Sequence, residues 1–473
     1  MVTSLSIVAI VVFATIGFAL FGVRRFQMSP QEYIVGGRSF GTAFLWVLLA
    51  GEIYTSFTFL GMAGWTYGFG APAYYILAYG ACGYVIGYFL LPALWQVGKD
   101  RGLLTAADFF ADRYNSRALG IGVGAVQFIT VVPYVTLQIS GLQVLLHIAG
   151  YGRVAGSAAA GVAFLLIAFF VFTAGLRGTA WASLIKDSFV LAAVAFAGIA
   201  IPIRFFGSPA GVVDRVLASH PHFLTLPPLT APHGGLWYVS TVLLTSIGFY
   251  MGPHSMNAIY SARSGEALRR NAALLPLYQM LLLLVLFAGL TASILVPGLR
   301  GTHVDQSFLL VIAKFYPPWV LGLIVAAGAL AALIPASAIL LGAAGTFTKN
   351  VLGAFGVATD DTARVRAARI SVLAIAVLAL VFWLKEQQTL VELLLLYYNA
   401  VTQFMPGVVA AFCWRRATAW GVAAGISAGI ILALILSASG AALWGINAGL
   451  IALLANVAVL VAVSLATPRR VTV

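Results

Sequence analysis

Long apolar stretches follow one another along almost the whole of this 473-residue chain. A helix needs about 20 apolar residues to cross a bilayer, and backbone in lipid must bond to itself, so such stretches fold as membrane-spanning helices. Hydrophobic residues make up 62% of the chain and charged residues 8%, which excludes a water-soluble globule. The sequence therefore predicts an all-α polytopic membrane protein, forming a single transmembrane domain, 1–473. About thirteen spans are predicted: 4–22, 43–67, 73–97, 118–148, 155–175, 180–203, 236–259, 272–298, 317–347, 368–384, 389–413, 418–438 and 442–466.

The basic residues predict an orientation. No basic residue precedes the first span, and Arg24 and Arg25 follow it, which favours a retained helix with its N-terminus outside over a cleaved signal peptide. The loops that are then cytoplasmic carry about three times as many lysines and arginines as the outer loops. This excess accounts for the net charge of +13 without a nucleic-acid partner. We expect an integral protein of the plasma (inner) membrane with a cytoplasmic C-terminus.

Sequence motifs for other chemistry are lacking. Cys82 and Cys413 lie in different spans, so neither a disulfide framework nor a metal site is indicated. The sequence has no Walker A motif, no H-E-x-x-H motif and no flavin fingerprint. We therefore expect no enzyme activity and no cofactor, and a secondary transporter or a channel. The polar residues form isolated spots rather than rings along a pore, which favours the transporter.

Two spans contain helix-breaking residues. Gly51, Gly61, Gly64 and Gly68 surround a polar centre in the second span, and Gly248, Gly252 and Pro253 interrupt the seventh. Non-helical backbone is tolerated at membrane depth where it lines a cavity, and broken helices in corresponding places indicate an inverted repeat. The spacing of five spans predicts 5+5 helices, with repeats at about 43–203 and 236–413. One N-terminal helix, 4–22, and two C-terminal helices, 418–438 and 442–466, would be peripheral.

Two acidic residues, Glu52 and Asp187, lie inside apolar spans, and Lys186 precedes Asp187. A carboxylate in hydrocarbon is costly, so such residues mark an ion or substrate path unless neighbours satisfy them. For Glu52 the alternative is a hydrogen bond to the hydroxyl of Thr130 or Thr136.

Four segments resemble the sodium/solute symporter family. They are 61–70 in the second span, the T-x-x-D-F-x-x-x-R-Y stretch within 103–120, the stretch 248–272 with Pro253 and His254, and the Q-x-x-P and W-R-R segments within 398–425. The resemblance runs through nearly the whole chain in the family's order. It implies a LeuT-type core preceded by one extra helix, and cation-coupled transport of a small solute by alternating access.

The resemblance also implies a cation site. In that family sodium is held by carbonyls of the second span, by hydroxyls of the ninth and with help from an aspartate of the sixth. The carbonyls correspond to Gly51 and Tyr54 and the aspartate to Asp187, but Ile334 and Pro335 occupy the hydroxyl positions.

Ser337 is the nearest hydroxyl to those two positions, and sodium needs several oxygen ligands. We therefore hypothesise that the Lys186 ammonium takes the place of sodium, held by carbonyls and by Asp187 or Glu52, which favours H⁺ coupling or facilitation over Na⁺ coupling. The alternative is that Lys186 snorkels to the cytoplasmic surface.

Candidate substrate contacts lie on the broken helices and on the inward faces that the resemblance implies: Thr55, Ser56, Thr58, Tyr134, Gln138, Phe249, Tyr250, Asn399 and Gln403. The stretch around Pro253 and His254 is most similar to the branch that moves small monocarboxylates, although Ala258 replaces a frequent arginine. Amino acids, urea, pantothenate and sugars stay open, as does a membrane sensor with a transporter fold. The outer loop at 204–235 holds His220, His222 and His233, but its proline and apolar content favours a surface lid over a metal site. No obligatory protein partner is indicated beyond the solute and membrane lipid.

Overall fold

The computed structural model describes residues 1–23, 40–51, 53–357, 360–385, 388–440 and 443–468. Within these ranges, eleven helices are long and apolar enough to cross a membrane. We label them in chain order: α1 Val2–Gly22, α3 Ala71–Asp100, α4 Arg117–Ala149, α5 Gly156–Thr173, α6 Arg177–Phe206, α8 Gly265–Leu295, α9 Pro318–Phe355, α10 Asp361–Lys385, α11 Leu390–Cys413, α12 Ala419–Ser439 and α13 Ala448–Ala466.

The two remaining spans are discontinuous. The second consists of α2a, Thr42–Gly51, and α2b, Met62–Phe69, which a wide helical turn at Phe57–Gly61 precedes. The seventh consists of α7a, Gly235–Gly248, and α7b, Pro253–Ser261. The halves of these two spans are shorter than the eleven helices above. With the two discontinuous spans, the described residues contain thirteen spans. The predicted all-α fold and span number are confirmed. The breaks begin at Gly51 and Gly248, and Gly252 and Pro253 lie at the start of α7b, whereas Gly64 and Gly68 lie inside the helix α2b.

Helix α9 forms the centre of the molecule. Almost all of its length is buried, and α1, α4, α5 and α6 pack around it. Its middle is rich in alanine and glycine, and small residues let helix backbones approach closely in lipid, where no hydrophobic force drives them together. Gly342 is an example, since a Cβ there would lie 2.6 Å from the backbone nitrogen of His254.

Gly175 separates α5 from α6. It has φ 59° and ψ −176°, backbone angles that glycine adopts readily, while the chain on either side is helical. This kink marks the boundary between the predicted fifth and sixth spans. Thr179 closes the first turn after it by donating a hydrogen bond to the Gly175 carbonyl at 2.9 Å.

The two C-terminal helices, α12 and α13, pack against each other and against α11. Asn456 on α13 donates hydrogen bonds to the backbone oxygen of Gln403 at 2.7 Å and to its side-chain oxygen at 3.1 Å. Within the described residues, three short α-helices lie outside the spans: Ala106–Arg113, Pro209–Ser219 and Ser307–Phe315. The boundaries of the two repeats stay a prediction.

Candidate functional site

In the second span, hydroxyl side chains within the break form hydrogen bonds with backbone groups that the interruption leaves without helical partners. The Thr58 hydroxyl accepts a hydrogen bond from the Thr55 N–H at 2.9 Å and donates one to the Ile53 carbonyl at 2.7 Å. Thr55 in turn accepts from the Phe57 N–H at 3.2 Å. Unpaired backbone groups are costly away from water, so these hydroxyls stabilise the unwound segment.

The ammonium of Lys186 lies against the broken end of α2a. Its Nζ donates to the Gly51 carbonyl at 2.5 Å, lies 3.4 Å from the Tyr54 carbonyl, and is 3.1 Å from the Asp187 carboxylate. The lysine is fully buried, so it does not snorkel to the surface. The Gly51 and Tyr54 carbonyls and the Asp187 carboxylate therefore lie around the Lys186 side-chain nitrogen, and its role in place of a coupling ion stays a prediction.

In the described part of the chain, the Ser337 hydroxyl does not bond to this ammonium. Its hydroxyl lies 2.8 Å from that of Thr179, about two helical turns before Lys186 on α6. Ser183, between Thr179 and Lys186 in sequence, lies beside the same glycine as the ammonium, since a Cβ on Gly51 would be 3.1 Å from the Ser183 hydroxyl and 3.2 Å from Lys186 Nζ. Glu52, the other predicted member of the cation site, lies outside the described residues.

A small cavity lies between the two broken helices. Its volume is about 40 Å³, and five of the predicted substrate residues line it: Thr55, Thr58, Tyr134, Phe249 and Tyr250. Lys186 is not among the lining residues, whereas Leu49 and Ile53, on either side of Gly51, are. The unwound segment of α2 thus separates the cavity from the ammonium, and both contact the same stretch of backbone.

The cavity contains residues that the sequence reasoning did not select. His254 and Ser255 line it at the N-terminal end of α7b, and Tyr397 and Tyr398 enter from α11. The Tyr134 ring packs against Tyr397, with 4.8 Å between ring centres, and against His254, with 5.8 Å. His254 is buried, and its Nδ1 has no hydrogen-bond partner in the described part of the chain. The sequence signal that could have selected His254 is its place directly after Pro253 in the segment that resembles the family.

Ser56 and Gln138 face each other beside the cavity rather than lining it. The Ser56 hydroxyl donates to the Gln138 side-chain oxygen at 3.0 Å, which joins the unwound segment to α4. A Cβ on Gly141 would lie 2.3 Å from the Ser56 hydroxyl, so α4 approaches this point closely. The pair fixes the position of the break, and direct contact of either residue with a solute stays a prediction.

Asn399 and Gln403 point away from the cavity, toward the peripheral helices. Asn399 donates to the Ser437 hydroxyl on α12 at 3.0 Å. Gln403 donates to the carbonyls of Asn399 at 3.0 Å and of Gly449 at 3.2 Å. In this conformation both amides join α11 to α12 and α13.

A polar cluster joins the short helix Ala106–Arg113 to the end of α9. Asp108 caps its own helix with Thr105 and forms an ion pair with Lys349, and Asn350 donates to its other oxygen at 2.8 Å. Burial raises the pKa of the Asp108 carboxyl, but Lys349, the Leu104 N–H and Asn350 together outweigh burial and hold that pKa below its ordinary value. This cluster contains the T-x-x-D-F stretch of the sequence.

At the opposite end of the spans, the loop that contains Asp305 meets the start of α11. The carboxylate of Asp305 accepts from the Leu390 N–H at 2.9 Å, and a Cβ on Gly64 of α2b would lie 2.8 Å from its other oxygen. His233 of the predicted lid packs against the rings of Trp65 and Trp237, at 5.0 and 4.9 Å between ring centres. Among the described residues, no three His, Cys, Asp or Glu side chains lie together in a way that holds a metal ion.

Comparison with known proteins identifies the family. Residues 33–429 match the sodium:solute symporter family. The chain is 39% identical to the uncharacterized symporter YhjB of Bacillus subtilis (strain 168), over 97% of each chain. It is 30% identical to a monocarboxylate transport permease protein of Rhizobium johnstonii, over 93% of this chain and 91% of that one.

Structural comparison gives the fold. A solved Na⁺-coupled sialic acid symporter in a substrate-bound, outward-open state superposes with a TM-score of 0.81, at 15% identity, over 100% of this chain and 99% of that one. The LeuT-type architecture implied by the sequence is confirmed by this match, and the relatives named above are transporters, not enzymes. The chain, an integral membrane protein, belongs to the sodium:solute symporter family.

Proposed function

We propose that this symporter moves a small monocarboxylate into the cell together with a proton, with the Lys186 ammonium in the place that sodium occupies in the family. The observation that carries this proposal is the contact of Lys186 Nζ with the Gly51 carbonyl and the Asp187 carboxylate. An ammonium and a sodium ion carry the same charge and both seek oxygen ligands. Because the lysine is already bonded to these oxygens, they are not available as ligands for a second cation.

Proton coupling follows from the same contacts. Desolvation penalises a buried ammonium, and only its oxygen ligands offset that penalty. When the broken helix moves during alternating access, the Gly51 and Tyr54 carbonyls move with it, and the ammonium that loses them releases its proton. Because the same segment lines the cavity through Thr55 and Thr58, solute binding and the lysine's charge act on one element.

A small carboxylate suits the cavity. A volume of about 40 Å³ holds roughly three water-sized bodies, so only a small solute enters without displacing side chains. The N-terminal end of α7b, with His254 and Ser255, offers hydrogen-bond donors and the positive end of a helix dipole to a carboxylate. The relative in Rhizobium johnstonii that carries a monocarboxylate name adds support for this solute class.

The first test is uptake of labelled pyruvate, lactate and acetate by purified protein in liposomes, with an imposed pH gradient and with or without sodium. The expected result is accumulation that the pH gradient drives and that sodium does not change. Strict sodium dependence would overturn proton coupling and would indicate that hydroxyls such as those of Ser337 and Thr179 complete an ordinary sodium site. Specific binding without flux would instead favour a sensor.

The second test replaces the lysine. We expect Lys186→Thr to abolish accumulation driven by the pH gradient and to retain exchange of solute at equal concentrations, which needs no coupling ion. Lys314→Thr, at an exposed lysine of an outer helix, is the matched control and should change neither activity. Undiminished pH-driven accumulation by Lys186→Thr would refute the role of the lysine. If His254→Phe loses solute specificity but keeps proton coupling, His254 is the contact for the solute carboxylate and the coupling depends on a different residue.

A further inference from the structure

A groove far from the cavity carries a concentration of positive charge. It lies between the start of α4 and the start of α12, has a volume of about 800 Å³, and is lined by Arg113, Arg117 and Arg415. We call it the arginine groove. It is on the side of the membrane that the charge distribution predicts to be cytoplasmic.

Acidic side chains do not neutralise these arginines. Arg113 and Arg117 each donate one hydrogen bond of 2.6 Å to a backbone carbonyl, of Ala411 and Ala354 respectively. Arg415 is exposed, and among the residues that the structure describes none of the three has a carboxylate within ion-pair distance. The lining itself contains no Asp or Glu. The groove therefore presents three positive charges, with most of their N–H donors available to an anion.

The shape of the groove identifies the kind of anion. From its charged end it continues along apolar positions of the two spans, past Val126 on α4 and Ile426 on α12. Val126 lies nine residues beyond Arg117, which is about 13 Å along the helix. Trp420 beside the groove is 71% exposed, as is typical of a tryptophan at a membrane interface. A soluble anion would use only the charged end, whereas a lipid would fill both parts.

We propose that the arginine groove binds an anionic phospholipid, with the phosphate on the three arginines and an acyl chain between α4 and α12. Guanidinium groups pair with phosphate oxygens through two parallel hydrogen bonds, and basic pockets between spans are a known form of lipid recognition. The lipid would connect the peripheral helix α12 to the transport core, since Arg113 is also bonded to α11 through Ala411.

The test uses the full-length protein in detergent and counts bound lipid by native mass spectrometry during titration. Phosphatidylglycerol should bind on the order of a hundredfold more tightly than phosphatidylcholine with the same acyl chains, because each of the three arginines near an anionic headgroup contributes about fivefold, equivalent to about 1 kcal/mol. Sodium phosphate should not compete at the same concentrations. Equal binding of the two lipids would overturn the proposal, and competition by phosphate alone would assign the groove to a soluble anion.

Substitutions locate the lipid. Arg113→Gln, Arg117→Gln and Arg415→Gln together should remove the preference for phosphatidylglycerol. Arg415→Gln alone should weaken binding about fivefold. This substitution removes no hydrogen bond seen among the described residues, so it tests the site even if the triple variant does not fold. Arg300→Gln, at an exposed arginine of an outer loop, is the control. Unchanged lipid preference in both groove variants would refute the site.

Discussion

Lys186 of α6 donates a hydrogen bond of 2.5 Å to the carbonyl of Gly51, the last residue of α2a. The first half of the broken second span therefore ends at a charged side chain. In an unbroken helix that carbonyl would accept an N–H one turn later. The lysine therefore replaces part of the helix's own hydrogen bonding, which connects its charge state to the conformation of the segment that lines the cavity.

The close approach at Gly51 gives the first prediction. A Cβ there would lie 3.2 Å from Lys186 Nζ and 3.1 Å from the Ser183 hydroxyl, closer than ordinary packing. Gly51→Ala should displace the ammonium, cost about 1–3 kcal/mol of stability, and reduce pH-driven uptake more than solute exchange. Gly161→Ala, at a helical glycine with nothing within 4 Å, is the control. Uptake equal to that of the control would show that the contact does not control coupling.

The ion pair of Lys186 and Asp187 gives the second prediction. Both side chains are buried, and removal of one partner leaves an uncompensated charge. Asp187→Asn should therefore destabilise the protein by about 3–5 kcal/mol, while Lys186→Met combined with Asp187→Asn should cost less than Asp187→Asn alone. Thermal melting of the purified variants in one detergent, compared as a double-mutant cycle, measures the coupling. Additive losses would mean that the two charges do not stabilise each other.

How far the sequence predicted this molecule depends on how local each signal was. The spans follow from hydropathy, and the breaks at Gly51 and Gly248 follow from residues within the helices concerned. The Lys186 contact could be stated in advance because family resemblance aligned three separate segments. Which face of α11 meets the cavity could not, because that helix is buried on most sides and its polar residues Asn399 and Gln403 bond to α12 and α13 instead of lining the cavity. Asn399 was selected for its polarity, while its neighbour Tyr398, rotated by about 100°, lines the cavity.

The polar cluster around Asp108 gives a third prediction, which concerns pH. Because the pKa of Asp108 is lowered in the fold, its ion pair with Lys349 contributes stability above the ordinary pKa of a carboxyl, and that contribution is lost as pH falls through the lowered value. At neutral pH, Asp108→Asn should raise hydrogen exchange in residues 103–113 about fivefold, since a partly exposed pair contributes about 1 kcal/mol. The wild type should show the same increase only in acid.

Asp112→Asn is the matched control for that exchange experiment. Asp112 lies on the same helix, but its contact with the exposed Arg101 is 4.0 Å long. Exchange in 103–113 should therefore stay at the wild-type value. If both variants raised exchange equally, the effect would come from the helix's charge in general and not from the contact with Lys349.

The last prediction concerns Asp305, which joins its loop to the start of α11 through the Leu390 N–H. Burial raises the pKa of its carboxyl to about 7, the Leu390 N–H lowers it and Glu392 raises it further. His233 also lies near Glu392, and burial lowers its own pKa. For a carboxyl with a raised pKa, the favourable contribution is complete below the ordinary value near 4 and disappears as pH rises to about 7.

Asp305→Asn should therefore melt at nearly the wild-type temperature at pH 4 and above it at pH 8, because the amide keeps the neutral form at every pH. The difference in melting temperature between the two proteins should grow between pH 4 and pH 7 and then stay constant, which isolates Asp305 from every group that titrates equally in both. His233→Gln should leave that difference unchanged if Asp305 is its source. A difference that did not vary with pH would show that the Asp305 carboxyl keeps its ordinary pKa, and that this junction of loop and helix does not respond to protons.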